Sequence, residues 1–154
     1  HPSIAPFEAF KTKDSYIILA AGNEKLFEKL CHVLNIPEVS KNNKFNTNVL
    51  RSKNIDSLKK IIENKLIEKN TNEWINEMEK EKIPCGPIFN IKEAVENPQV
   101  KARNMIVTAH HKIIGDFKLA GNPIKISNYK DEKIRGNIPD LDEHREKILK
   151  EFDN

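Results

Sequence analysis

The sequence predicts an α+β chain: a small domain of helices packed on a small antiparallel sheet, with a C-terminal extension that ends in a helix. Three observations lead there. A short apolar run near the start, Ser15 to Ala21, is bounded by the turn residues Lys13-Asp14 and Gly22-Asn23. Amphipathic stripes at helical spacing follow, with no strand between them. After Asn104 the pattern changes to alternation broken by turns at Gly115 and Gly121. Helices grouped apart from strands mean α+β, not an alternating parallel fold.

Taken in order, Phe7 to Thr12 is the hairpin partner of the apolar run, although its alternation is imperfect. Asn23 is a good N-cap with Glu24 in the first turn behind it. Leu26, Phe27, Leu30, Cys31 and Leu34 then set one helical stripe, which stops near Asn35 ahead of Pro37. Ser40 to Asn48 is polar around the single anchor Phe45 and reads as a loop. Ile55, Leu58, Ile62 and Leu66 give a second helix to about Lys69, with a solvated Lys/Glu/Asn face. Thr71 is expected to cap a third, carrying Trp74, Ile75 and Met78. Ile83-Pro84-Cys85-Gly86-Pro87 forbids helix and marks a sharp passage of the chain. Asn90 with Glu93 starts a short helix through reciprocal capping, and Asn97-Pro98 starts another. Met105 to His110 reads as a strand, Phe117 to Leu119 as its return, and Ile124 to Ile126 as one more. Tyr129 to Pro139 is charged and extended, a connection between two bodies. Asp140 or Asp142 is expected to cap a last helix with Ile148, Leu149 and Phe152.

Composition narrows the function classes. The 154 residues carry 26 Lys and Arg against 23 Asp and Glu, a net charge of +3, and the signs are interleaved as in Lys80-Glu81-Lys82. A nucleic-acid binder concentrates its basic residues on one face, so no nucleic-acid partner is expected. Cys31 and Cys85 are the only cysteines and lie far apart, which disfavours a disulfide scaffold or a zinc site. A reducing cytoplasm is the expected compartment. No apolar run approaches membrane-spanning length, so no membrane partner is expected either.

No self-contained catalytic motif is present: the sequence lacks GxGxxG, Walker A, GxSxG, HExxH and EF-hand patterns. His110 and His111 are neighbours on a strand and point to opposite faces, so they read as a surface pair and not as chelators. His32 reads as solvated, Trp74 as core, and Cys85 as a small residue in a tight passage. The corner Ala20-Ala21-Gly22-Asn23 is more informative. It sets a polar amide where a strand enters a helix N-terminus, a place that suits an anionic or carbonyl ligand. The plainer reading makes Asn23 simply the N-cap.

Five segments, in order along the chain, resemble the class III CoA-transferases, the family that includes carnitine and formyl-CoA transferases and α-methylacyl-CoA racemases. They are His1-Pro2-Ser3-Ile4-Ala5-Pro6-Phe7 with Tyr16 to Asn23; Ile83-Pro84-Cys85-Gly86-Pro87; Asn97-Pro98-Gln99-Val100-Lys101-Ala102-Arg103-Asn104-Met105; Gly121-Asn122-Pro123-Ile124-Lys125-Ile126-Ser127; and Leu141-Asp142-Glu143-His144. The resemblance implies the C-terminal part of such an enzyme, with residues 1–128 as its small domain and 129–154 as a linker and helix returning to a large domain. It further implies that the N-terminal half, with a Rossmann-like domain, most CoA-binding residues and an essential Asp, lies outside this chain. In the transferases that Asp is acylated and then carries CoA as a thioester.

The implied partners are acyl-CoA and carboxylic acid substrates, the missing N-terminal half, and a second copy in an interlocked dimer. A CoA thioester is the substrate, and no cofactor or metal is implied. His1 would lie near a glycine-rich loop and Asn23 near the reacting centre, so these two are the candidate substrate- or CoA-proximal residues, with no catalytic residue in the chain. Asn23 cannot hold a charge, which weighs against a racemase. Asp142 and Arg145 stand where the family pattern has Gly and Thr, which bears on the turn there. The rival to a transferase fragment is a non-catalytic binding or structural module from a split gene.

Overall fold

The computed structural model describes residues 1–152; Asp153 and Asn154, the last two residues of the expected extension, lie outside the described residues. The chain divides into two compact units, His1–Ile88 and Phe89–Asn154.

In the first unit, β1 (Phe7–Lys11) and β2 (Tyr16–Ala20) form the expected hairpin, with Phe7 opposite Ala20 and Lys11 opposite Tyr16. Helix α1 (Glu24–Val33) follows at once and buries Phe27, Leu30 and Cys31. The stretch read as a loop is non-helical from Asn42 to Thr47, and two short helices, α2 (Pro37–Lys41) and α3 (Asn48–Lys53), flank it. Pro37 starts the first, where its missing N–H costs nothing, and the Thr47 hydroxyl caps the second. Helix α4 (Ile55–Leu66) buries Leu58, Ile62 and Leu66, and α5 (Thr71–Lys80) buries Trp74 and Met78. The cap of α5 is Asn70, one residue before the expected Thr71, because Asn70 and Glu73 satisfy each other's backbone N–H groups. Thr71 instead donates its N–H and its hydroxyl to Asp14, both at 2.8 Å. These helices and the hairpin close over one apolar core from Phe10 to Ile83. Trp74 lies inside it with its indole N–H on the Leu66 carbonyl at 2.8 Å.

The proline-rich passage is a third strand. β3 (Cys85–Pro87) pairs antiparallel with β2, Leu19 opposite Cys85, so the sheet order is β1-β2-β3. Pro87 is tolerated because this is an edge strand. Ahead of it, Lys82 takes a φ of 58° at the end of α5, where its N–H reaches the Glu79 carbonyl. A lysine in that region carries about 1–2 kcal/mol of strain. After the backbone entropy of glycine in the unfolded chain is subtracted, Lys82→Gly is expected to stabilise the protein by about 0.5–1 kcal/mol. A chemical denaturation curve reads it, and a lower midpoint would show that the lysine stem contributes more than the strain removes.

The second unit begins with α6 (Ile91–Glu96), capped reciprocally by Asn90 and Glu93, and α7 (Pro98–Ala102), capped by Asn97. β4 (Ile106–His111) and β5 (Gly115–Ala120) form an antiparallel hairpin. The third strand is not Ile124–Ile126. It is β6 (Ile134–Asn137), which pairs parallel with β4 and gives the order β5-β4-β6. The expected connection 129–139 therefore contains a sheet strand. Ile124–Ile126 fails as a strand for local reasons. Pro123 has no N–H to give, Asn122 Oδ1 accepts the Ile124 N–H, and the Lys125 ammonium is drawn to Asp131 at 2.6 Å. The chain ends in α8 (Arg145–Phe152), on which Ile148, Leu149 and Phe152 stay exposed. Neither Asp140 nor Asp142 immediately precedes that helix; Asp142 sits at φ 67° and takes the Arg145 guanidinium on its carboxylate. The architecture is α+β, as the sequence predicts, with two three-stranded sheets where one antiparallel sheet was expected.

Candidate functional site

Asn23 stands at the exit of β2, and the corner beneath it is tied from both sides. The Ala20 N–H donates to the Pro84 carbonyl at 3.0 Å and the Ala21 N–H to the Pro6 carbonyl at 2.9 Å. Gly22 has no Cβ for a reason: one built there would collide with Ile4 Cγ2. Asn23 then caps α1, its Oδ1 accepting the Leu26 N–H at 2.8 Å. The cap uses the oxygen. Among the described residues the Asn23 amide nitrogen has no acceptor, so what the exposed side chain can offer a ligand is an N–H donor.

His1 lies in the same unit, on the other side of a ridge. Its ring stacks on Phe7 at 5.6 Å between centroids, its amino group donates to the Phe7 carbonyl at 2.8 Å, and its Nδ1 accepts the Ser3 N–H at 3.2 Å. Ile4 and Phe7 form the ridge. On the Asn23 side is an open recess of about 480 Å³ with Ala20, Leu26, Glu24 and Asn48 around it. On the His1 side is a smaller hollow of about 70 Å³ that reaches Ser52, whose buried hydroxyl has no partner among the described residues. The two predicted residues thus flank one apolar ridge without sharing a cavity.

The residue that holds this surface is one sequence reasoning missed. Arg51, on α3, is fully buried. Its Nε donates to the Ala5 carbonyl at 2.7 Å, one terminal nitrogen to Phe45 at 3.1 Å and the other to Gly22 at 2.6 Å. Its guanidinium lies over the Phe27 ring at 4.5 Å and 3.6 Å from Glu24. One side chain therefore joins the N-terminal arm, the Gly22-Asn23 corner and the loop at Phe45. Burial pulls its pKa below the usual arginine value, and the Glu24 charge opposes that pull. The Glu24 carboxyl is held below its ordinary value, first by its own backbone N–H, then by the Asn48 N–H, and also by Arg51. Asn48 closes the network, accepting the Ala5 N–H at 2.9 Å and donating to the Ser3 carbonyl at 2.8 Å. The only local signal for any of this is Thr47 as a helix cap; nothing in the sequence marks Arg51 as buried.

The remaining candidates have structural roles. Burial pushes the Cys31 thiol up to about 12 and raises that of Cys85, so neither supplies a thiolate near neutral pH. His110 pairs with Asp116 at 2.8 Å while His111 accepts the Ile113 N–H, so the two neighbours serve different partners. In the second unit, the Asp131 carboxylate accepts from Asn104, Lys125 and Arg135 together. Among the described residues no His/Cys/Asp/Glu group is arranged to hold a metal, and no helix is long and apolar enough to cross a membrane.

Residues 1–145 match the family model described as CoA-transferase family III. The chain is 36% identical over 152 residues to an acetyl-CoA:oxalate CoA-transferase of Acetobacter aceti, covering 99% of this chain and 38% of that protein. It is 37% identical over 151 residues to the human succinyl-CoA:glutarate CoA-transferase, covering 98% of this chain and 34% of that one. A crystal structure of a CaiB/BaiF family protein from Brucella suis superposes with a TM-score of 0.76 at 30% identity, over 98% of this chain and 38% of the other. The chain thus spans little more than a third of the length of each of these relatives.

Proposed function

This chain belongs to CoA-transferase family III, and from that premise we propose that it is the C-terminal part of an enzyme that moves CoA between carboxylic acids. The observation that carries the reading is the family match across residues 1–145, joined to relatives that bear CoA-transferase names. In this reading an aspartate outside the chain attacks the acyl-CoA carbonyl and releases the CoA thiolate. The thiolate then takes the aspartyl carbonyl, freeing the first acid and leaving aspartyl-CoA, from which the second acid recovers CoA. Two easier exchanges replace one hard one.

The residues described above would form one wall of that site. The ridge of Ile4 and Phe7 and the recess beside it exclude water, the Asn23 N–H donates to a thioester or carboxylate oxygen, and Arg51 fixes the corner that carries Asn23. Helix α8, with Ile148, Leu149 and Phe152 exposed, is the segment we assign to pack against the large domain, and the exposed apolar residues Ile113, Ile114 and Ile134 fit surface covered by the remainder of a dimeric enzyme.

The test compares this chain with the longer protein encoded when the reading frame upstream of His1 is included. Each is given succinyl-CoA and glutarate, and glutaryl-CoA is measured by mass spectrometry. The longer protein is expected to form it and the 154 residues alone to form none. A longer protein that moves CoA to no carboxylic acid would sink the proposal and favour a binding module. Exchange of the proton beside the thioester carbonyl, without CoA transfer, would point to a racemase.

A further inference from the structure

Helix α8 lacks the packing that holds the other long helices. It has eight residues and none of them is buried, whereas α1, α4 and α5 each bury a row of side chains. Every residue from Leu141 to Phe152 is exposed. A helix this short, without packing, is a minor species in water, because ordering its first turn costs more than its few hydrogen bonds return. The turn ahead of it is better fixed. Glu143 accepts the Asp140 N–H at 2.7 Å, Lys112 reaches Asp140 at 2.8 Å and Glu143 at 3.5 Å, and Arg145 closes on Asp142 at 2.7 Å. Exposed ion pairs hold little energy singly, but these set the direction in which the chain enters α8. They do nothing for its last turn.

The side chains of α8 sort by face. Ile148, Leu149 and Phe152 fall on one side at helical spacing, and Glu146, Lys147, Lys150 and Glu151 on the other. That is the pattern of a helix laid into an apolar groove. Nothing among the described residues covers the apolar side, where Ile148, Leu149 and Phe152 are 50%, 54% and 79% exposed. The relatives show where a cover comes from. This chain spans 38% and 34% of the two transferases named above, so more than half of each lies outside the matched part. We infer that α8 is a helix that forms as it docks: an apolar groove on the part of the longer protein outside residues 1–154 takes Ile148, Leu149 and Phe152, and that contact supplies the order the arm cannot supply itself. This rests on the reading above of the chain as part of a longer enzyme. It adds that the arm, fixed at its Lys112 end and free beyond, is the last helix to form and the first to open.

Hydrogen exchange read by mass spectrometry is run on the 154 residues and on the longer protein, each at two concentrations. In the 154 residues the amides from Ile148 to Phe152 are expected to exchange within about tenfold of an unstructured chain, while α4 and α5 are protected. In the longer protein the same amides are expected to slow by about 100-fold or more. Ile148→Ser together with Phe152→Ser should return them to the fast rate and leave α4 and α5 as they were. Protection of α8 in the 154 residues at both concentrations overturns the inference, because the helix then stands alone. Protection there that grows with concentration overturns it too, because a second copy of these residues is then the cover. A longer protein that leaves α8 fast also overturns it, and if that protein still transfers CoA the transferase reading stands. A longer protein that protects α8 but moves CoA to no acid overturns the transferase reading and leaves the docking. The comparison of the two unaltered proteins decides the matter even where the double variant does not fold.

Discussion

Replacing Arg51 with methionine is expected to destabilise the N-terminal unit by about 3 kcal/mol or more. Methionine fills a similar volume and brings no donors, so the carbonyls of Ala5, Gly22 and Phe45 lose bonds of 2.7, 2.6 and 3.1 Å. Each buried carbonyl left unmatched costs about 1–3 kcal/mol. An opposing effect exists, since a buried charge is itself expensive and its replacement by apolar atoms is sometimes neutral. That compensation requires the partners to be satisfied afterwards. Glu24 would be, because it is largely exposed; the carbonyls would not. The carbonyl losses therefore outweigh the relief of burying the guanidinium. Denaturation followed by Trp74 fluorescence measures the loss, and hydrogen exchange at Ala21 and Leu26 measures whether the corner opens with it. A loss below about 1 kcal/mol would show that water or a repacked side chain reaches those carbonyls. Arg51→Lys should fall between, since one ammonium cannot span three diverging acceptors.

The parts of this structure that could be read from sequence are those whose cause is local. Asn23, the Asn90–Glu93 pair and Pro98 announce helix starts through side-chain chemistry that acts within one turn, and the stripes of α1, α4 and α5 carry their own period. The misreadings share the opposite property. Arg51 was missed because it is buried only by carbonyls that converge on it from three separate segments. Cys85–Pro87 and Ile134–Asn137 became strands because a neighbouring strand offered its edge, which no window of sequence records. Ile124–Ile126 had the alternation of a strand but no partner, and its flanking Asn122 and Pro123 turned it. The candidate site divides the same way. Asn23 was legible as a cap, and its oxygen is committed to that role; the clamp that holds it was not.

Departures from the family pattern are informative where backbone geometry explains them. Asp142 replaces a glycine of that pattern and sits at a positive φ of 67°, as Asn104 does at 47°. Asn and Asp are the residues other than glycine that tolerate this region best. The turn that Asp142 put in question is therefore kept, with the carboxylate bonded to Arg145. Asn104 also gains a role glycine could not have: its amide donates to the Asp131 backbone carbonyl at 3.1 Å and to its carboxylate at 3.2 Å, linking the start of β4 to the segment before β6.

Gly121 has no such latitude, and Gly121→Ala is expected to be the most damaging single-methyl addition in the second unit. Its N–H donates to the Met105 carbonyl at 2.8 Å, which draws the backbone after β5 against that before β4. A Cβ there would strike the Asn104 carbonyl oxygen, with Val107 Cγ1 next at 3.2 Å. A flexible side-chain end could move aside. A main-chain carbonyl cannot move without shifting Asn104 out of its left-handed conformation or breaking the Gly121–Met105 bond. Overpacking of this kind costs about 1–3 kcal/mol, and backbone obstruction belongs at the upper end. The expected result is a loss near 3 kcal/mol with faster amide exchange at Gly121 and along β4, while exchange in α4 and α5 is unchanged. Asn104→Gly, which relieves strain but keeps the obstructing oxygen, should not rescue it. If the alanine protein exchanges like the unaltered one, the close approach of the two backbones is looser than 2.8 Å implies, and the glycine of this motif owes its place to something other than packing.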